Sequence, residues 1–255
     1  MSASVWRKVQ PAVAQRTTAC AYDRAGYGHS DAAPLPRDAT HIAADLRAGL
    51  AAIGLLSPYV LVAHSLGGYD AQLFANRYRK DVAGMVLVDP EVDEASLPFR
   101  RASASWAKME DKAEAENRTC IGAAADGRMK PGDPAYAQCG SPPPNSPLNN
   151  QAMARAVISE DDSQMASYRQ VLATRTSYGT MPLIVLTAGA RTGEEGLSAQ
   201  DRAALQQVWL HGHEKLAQLS SNGVHRVVDG APHMIHFSKP DAVIDAVFNV
   251  LASTH

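Results

Sequence analysis

The sequence predicts an α/β fold, a mostly parallel sheet with helices on both faces, and three features carry that expectation. Short β-branched runs alternate with stretches of helical periodicity, the order expected when parallel strands are joined by crossover helices. Several runs, such as Tyr59-Val60-Leu61-Val62-Ala63, are apolar without alternation, as strands covered on both faces are. Between about Glu91 and Thr180 the pattern changes to polar helices and proline-rich loop. That change predicts a helical cap insertion (91–180) in a core formed by residues 1–90 and 181–255.

Thr18 to Asp23 reads as the first strand, followed by the glycine-punctuated loop Asp23-Arg24-Ala25-Gly26-Tyr27-Gly28-His29-Ser30. Ile42, Leu46, Leu50 and Ile53 then share one helical face, and Gly54 ends that helix. Tyr59 to Ala63 reads as a fully buried strand. After Ser65, Leu66, Tyr69 and Leu73 align on a helix, and Met85 to Asp89 forms the next strand, stopped by Pro90. Within the insertion, helices are expected over 103–117 and 150–175. Pro131, Pro134, Pro142, Pro143, Pro144 and Pro147 exclude regular structure between them. The core pattern resumes with a strand at Leu183 to Thr187, a helix near 199–219 and a strand near His225 to Val228. A last helix begins at the capping-box-like Ser238-Lys239-Pro240-Asp241, with Val243, Val247 and Val250 on its buried face.

Composition narrows the function classes. Of 255 residues, 45% are hydrophobic and 20% charged, and the net charge is −2. No basic run favours a nucleic-acid partner or an anionic membrane, and no apolar stretch approaches the roughly 18 residues needed to span a bilayer. Met1 to Trp6 lacks the apolar h-region of a signal peptide, so the chain as written reads as cytoplasmic. Three cysteines form no metal set. Cys20, in an apolar strand-like run, reads as a buried free thiol. Cys120 and Cys139 lie 19 positions apart in loop-rich sequence. They are either a disulfide, contributing about 3 kcal/mol and implying an oxidising compartment, or two unpaired thiols of a cytosolic protein.

The chemistry-bearing motif is Ala63-His64-Ser65-Leu66-Gly67, set between a strand and a helix. A side chain that attacks a carbonyl must project from a rigid frame. A sharp strand-to-helix turn supplies one by holding the serine in a strained backbone conformation, which requires small neighbours two residues away on each side. Ala63 and Gly67 fill those positions, and Gly68 lets the helix approach the sheet. The turn also directs the Leu66 N–H, at a helix N-terminus, towards developing negative charge.

With these residues in place, the chain resembles the α/β-hydrolase superfamily of serine esterases and lipases. Tyr22 to Ser30 resembles the loop after the family's fourth strand. Ala63 to Gly68 resembles its nucleophile elbow, with Ala63 where Gly is more usual, and Val86 to Pro90 its sixth strand. Gly230-Ala231-Pro232-His233 resembles the histidine loop after the eighth strand, with Pro232 where Gly is common. The likeness extends over nearly the whole chain outside the insertion.

The resemblance implies a chain order of nucleophile, acid and histidine. A serine hydroxyl needs a base with pKa near 7, and His233 follows a predicted strand and a Gly-Ala-Pro turn. Its rival His236 is expected to pack near the start of the last helix, and the His64 side chain to point away from Ser65. His211 and His213, two apart in a predicted helix, face different sides and make no metal pair. For the acid, Arg191 stands where the commoner aspartate would be. Asp89 at the sixth strand's end is preferred, and Glu194 on the loop after Thr187 is the alternative.

Ser4-Val5-Trp6 resembles sequence just downstream of the family's glycine-rich oxyanion loop. The chain is therefore expected to be a shortened form of a longer protein, exported if an upstream signal has been lost and Cys120–Cys139 is a disulfide. Thr18–Asp23 would then face Tyr59–Ala63 across a gap or pair with it directly. The expected function is hydrolysis of a small-molecule carboxylic ester, or a related acyl bond, through an acyl-enzyme. Ser65, His233, Asp89 and the Leu66 N–H would perform it, with neither metal nor organic cofactor. The alternative is a catalytically impaired, ligand-binding protein of the same fold.

Overall fold

Four parallel strands position everything that follows. A computed structural model describes residues 2–92, 97–141, 146–190 and 196–254. In chain order, α1 (Gln10–Val13) and α2 (Ala39–Ala52) precede β1 (Tyr59–His64), α3 (Gly67–Arg77) and β2 (Val82–Val88). Next come α4 (Leu97–Ala102), α5 (Ala104–Ala125), α6 (Pro134–Cys139), α7 (Gln151–Asp162) and α8 (Gln164–Thr174), which separate β2 from β3 (Leu183–Ala188). The order ends with α9 (Ala199–Ala217), β4 (Gly223–Val228), α10 (Ile235–Ser238) and α11 (Pro240–Ala252).

The strands lie side by side in the order β1-β2-β3-β4. Strand residues alternate between two apolar layers, as the two-residue period of a strand requires. Val86, Val88, Ile184 and Leu186 pack with Val243, Val247 and Val250 of α11. Met85, Leu87, Leu183 and Val185 pack on the other face with Phe74 of α3 and Leu216 of α9. Because both faces are apolar, polarity alone cannot set the register. Gly84 sets a steric marker for it, since a Cβ there would collide with Val250 Cγ1.

Several expectations need correction. Thr18–Asp23 forms no strand, because an extended segment becomes one only through ladder bonds, and its bonds go to side chains instead. Gln10 Nε2 donates to Ala19 O (3.0 Å) and Ser30 Oγ to Asp23 O (2.7 Å). Cys20, in that segment, is accordingly exposed rather than buried. β1 is half-buried throughout rather than fully buried, and among the described residues its ladder partner is β2 alone. The helix expected over 150–175 is two, α7 and α8, parted at Ser163. Ile53 lies beyond the end of α2 and is 66% exposed, so it does not join the buried face of Ile42. Ser238 ends α10 and its hydroxyl turns back to Met234 O, so Pro240 rather than a serine cap starts α11. No described helix is long and apolar enough to cross a membrane.

The residues between β2 and β3 are tied to the rest by specific bonds. Arg24 clamps Glu160 of α7 with two bonds (2.8 and 2.6 Å), and Tyr27 Oη donates to the same carboxylate (2.8 Å). A Cys120–Cys139 disulfide joins α5 to α6. Pro134, expected to exclude regular structure, instead starts α6, where its missing N–H costs no helical bond; Pro142, Pro143 and Pro144 lie outside the described residues.

Candidate active site

The site forms where the carboxyl ends of β1, β2 and β3 meet the loop after β4. β1 and β2 are paired in register up to His64 and Val88, so Ser65 and Asp89 emerge side by side. Both have positive φ, +55° and +44° respectively. Such a conformation costs of order 1–3 kcal/mol for a residue other than glycine and persists only where its surroundings impose it. Here they do. Ser65 N–H donates to Val88 O (3.2 Å), and Ser65 O accepts from Gly68 N–H (2.8 Å) and Glu91 N–H (3.2 Å). The approach is close enough that a Cβ on Gly68 would sit 2.7 Å from Pro90 Cβ, whereas one on Gly67 would be 3.9 Å from Ala63 Cβ. Gly68 rather than Gly67 is therefore the tight position.

Asp89 is 2% exposed and makes three side-chain contacts. Oδ1 accepts from Ala188 N–H (2.8 Å) and from Trp209 Nε1–H (2.7 Å), and Oδ2 accepts from His233 Nδ1–H (2.6 Å). Burial pushes the carboxyl's pKa up. The hydrogen bond from His233, the proximity of His213 and the Ala188 N–H outweigh it, and the carboxyl sits below its ordinary range. A carboxylate can only accept, so Nδ1 of His233 carries the hydrogen, and Nε2 of the neutral ring is the lone-pair nitrogen. The His233 side chain is 41% exposed. Of the two candidate acids, Asp89 holds His233; Glu194 lies outside the described residues.

The His64 ring, from the residue before Ser65, packs against His233 and His236. Its centroid lies 4.5 Å from that of His233 and 4.6 Å from that of His236, and its Nε2–H donates to His233 O (3.0 Å). Burial, aided by the nearby His233 and His236, lowers the His64 pKa to about 3 and keeps the ring neutral. Among the described residues no hydrogen bond joins the Ser65 hydroxyl to His233 itself. Leu66 stands at the N-cap of α3, where a helix leaves its first N–H groups open. His236 is fully buried beside Trp6, as expected of a packing residue.

A cavity of about 430 Å³ opens on the Asp89–His233 pair. Phe99, Trp106, Glu110 and Gln164, all from the segment between β2 and β3, line it together with Trp209; Ser65 is not in its lining. Two contributors, Trp209 and His213, were not assigned to the site from sequence. They are four apart on α9, hence on one helical face, and that spacing was the available signal. α9 leaves His211 exposed and buries His213 completely. Among the described residues no group of three or more His, Cys, Asp or Glu is placed to hold a metal ion.

Over 250 residues the chain is 23% identical to the uncharacterized protein YqjL of Bacillus subtilis (strain 168), covering 98% of this chain and 79% of that one. Its fold is similar to an esterase from Thermogutta terrifontis (TM-score 0.61, 19% identity, 100% of this chain and 87% of that one). It is equally similar to the epoxide hydrolase CorEH (TM-score 0.62, 19% identity, 100% and 89%). A third such fold is an ancestral haloalkane dehalogenase (TM-score 0.64, 16% identity, 99% and 88%). The profile of the Alpha/beta hydrolase family matches residues 1–246, and the chain belongs to that family, whose general chemistry is hydrolysis.

Proposed function

We propose that the protein is a serine hydrolase that cleaves a carboxylic ester, or a related acyl bond, of a small molecule through an acyl-enzyme. The observation that carries this reading is the Asp89 Oδ2–His233 Nδ1 bond of 2.6 Å, made next to a serine held at positive φ on the adjoining strand end.

In this reading Ser65 Oγ attacks the carbonyl carbon while His233 Nε2 takes its proton. The Leu66 N–H supports the resulting oxyanion. Collapse expels the alcohol, which receives the proton from Nε2, and water then repeats the sequence on the acyl-enzyme. Asp89 keeps the imidazole in the useful tautomer and stabilises the imidazolium. These steps require neither metal nor organic cofactor. Residues 91–180 act as the cap, since five cavity-lining residues come from them. The Cys120–Cys139 disulfide favours an oxidising compartment.

Chemistry separates this reading from the dehalogenase and epoxide hydrolase folds it resembles. Alkyl transfer to a carboxylate nucleophile gives an ester, which water can hydrolyse. Alkyl transfer to Ser65 would give an ether, with no carbonyl for water to attack. A serine at this position therefore suits acyl substrates.

A second reading, a ligand-binding protein with impaired catalysis, is favoured by the absence of Ser65 from the cavity lining. A fluorophosphonate probe decides between them. Labelling that disappears in Ser65→Ala supports the enzyme; a folded, unlabelled wild-type protein supports the binding reading.

A further inference from the structure

We infer that His213 is a positioning residue for Asp89, acting on the Pro90 carbonyl as the inner end of a hydrogen-bond chain that runs His225–Thr187–His213. The inference rests on Asp89 being the acid of the proposed function.

One carbonyl fixes the polarity of the whole chain. Pro90 O can only accept, so His213 Nε2 carries the hydrogen in their 2.7 Å bond. His213 is fully buried, which favours the neutral ring, so Nδ1 is an acceptor. The Thr187 hydroxyl must donate to it, at 2.6 Å. With its single hydrogen committed, Thr187 Oγ1 accepts from His225 Nε2, at 2.7 Å. Each of the three bonds thus has one donor and one acceptor, and the chain ends on the residue after the acid.

That turn needs holding. Asp89 has positive φ, and Pro90 has no N–H to anchor it. α9 grips it twice: Trp209 Nε1–H bonds the Asp89 carboxylate, and His213, four residues on, bonds the following carbonyl. Beyond it, Tyr69 Oη donates to Val92 O (2.7 Å). Unlike Trp209, His213 does not line the cavity. Its loss should therefore disturb the chemical step and spare ligand binding, because a displacement of about 1 Å in a reacting group can cost about 100-fold in rate.

The test measures inactivation of the full chain by a fluorophosphonate, separating the maximal rate from the half-saturating concentration. His213→Leu should lower the maximal rate about 10- to 100-fold with half-saturation unchanged. His213→Gln, whose amide can donate to Pro90 O and accept from Thr187, should recover most of it. Thr187→Val, nearly isosteric, should lower the rate in the same way and serves if His213→Leu fails to fold. A wild-type rate in His213→Leu or Thr187→Val overturns the inference, as does a change confined to half-saturation. Ser65→Ala and Asp89→Asn run alongside. If either labels like wild type, the proposed triad itself has failed. If both are silent while His213→Leu is unaffected, only the positioning role has.

Discussion

Ser65 and Asp89, the two non-glycine residues with positive φ among those described, directly follow the paired residues His64 and Val88 of neighbouring strands. Each turn braces the other. The Ser65 carbonyl accepts the Glu91 N–H beyond the acid, and Pro90 presses on Gly68 beyond the serine. The strain at both positions is thus held by these two shared contacts, which predicts that a change in either turn is felt at the other.

Gly68→Ala tests that coupling. The added methyl would sit 2.7 Å from Pro90 Cβ, and both backbones are constrained by the bonds just described. Overpacking of this kind costs roughly 1–3 kcal/mol, and relief requires Pro90 to move, carrying Asp89 with it. Chemical denaturation should show the loss, and ester turnover should fall by more than the folded fraction does. Unchanged stability and turnover would mean that the two turns are independent.

Asp89→Asn should leave the fold intact, since the amide oxygen can accept from Ala188 and Trp209. Its NH2 then faces His233 Nδ1 and selects the opposite tautomer, placing the hydrogen on Nε2. Turnover should drop about 10⁴-fold, with the midpoint of unfolding shifted little. A drop below tenfold would exclude Asp89 as the acid and return attention to Glu194.

The strand–turn–helix frame was legible because its signals are local. Val60-Leu61-Val62 and Val86-Leu87-Val88 are apolar runs, and the serine sits in a tight, glycine-flanked turn. Asp89 could be chosen because it follows a strand end, and His233 because it follows a strand and a Gly-Ala-Pro turn. Thr18–Asp23 misled because its β-rich composition shows only that a strand is possible, whereas a ladder partner decides. The roles of Trp209 and Thr187 depend on contacts across 120 and 38 positions, which no window along the sequence displays. The packing of His64 against His233 and His236 was not legible either, because it depends on where the His233 loop lands.

The Cys120–Cys139 disulfide closes a span of 19 positions between α5 and α6. On the loop-entropy estimate it contributes about 3 kcal/mol, and it ties α6 to α5, whose Trp106 and Glu110 line the cavity. Peptide mapping without reductant should recover the linked pair. Cys120→Ser/Cys139→Ser should lower the unfolding midpoint and broaden ester preference as the cavity wall loosens. Recovery of both peptides as free thiols from protein made in an oxidising compartment would refute the pairing.

Stability should fall on mild acidification because of the buried His213 and His236 and the half-buried His64. Burial lowers the pKa of His64 to about 3 and those of His213 and His236 to about 4, with neighbouring histidines adding to the effect, from an ordinary 6.5. All three are depressed in the folded state. Above pH 6.5 neither state binds the extra protons, and stability is flat. As pH drops from 6.5 towards 4 the unfolded chain protonates while the folded one does not, so stability is progressively lost. His236 isolates one share of this. It is fully buried, packed 4.9 Å from Trp6 and 4.8 Å from Phe237 between ring centroids, and neither ring nitrogen has a hydrogen-bond partner. Unpartnered buried polar atoms cost about 1–3 kcal/mol, so His236→Phe, of similar shape, should hold or raise the melting temperature at pH 7.5. It should also flatten the decline between pH 6.5 and 4.5 by roughly one proton's worth of slope. Melting curves of the wild type and His236→Phe across that range measure both effects, and parallel declines would show that His236 does not titrate with folding.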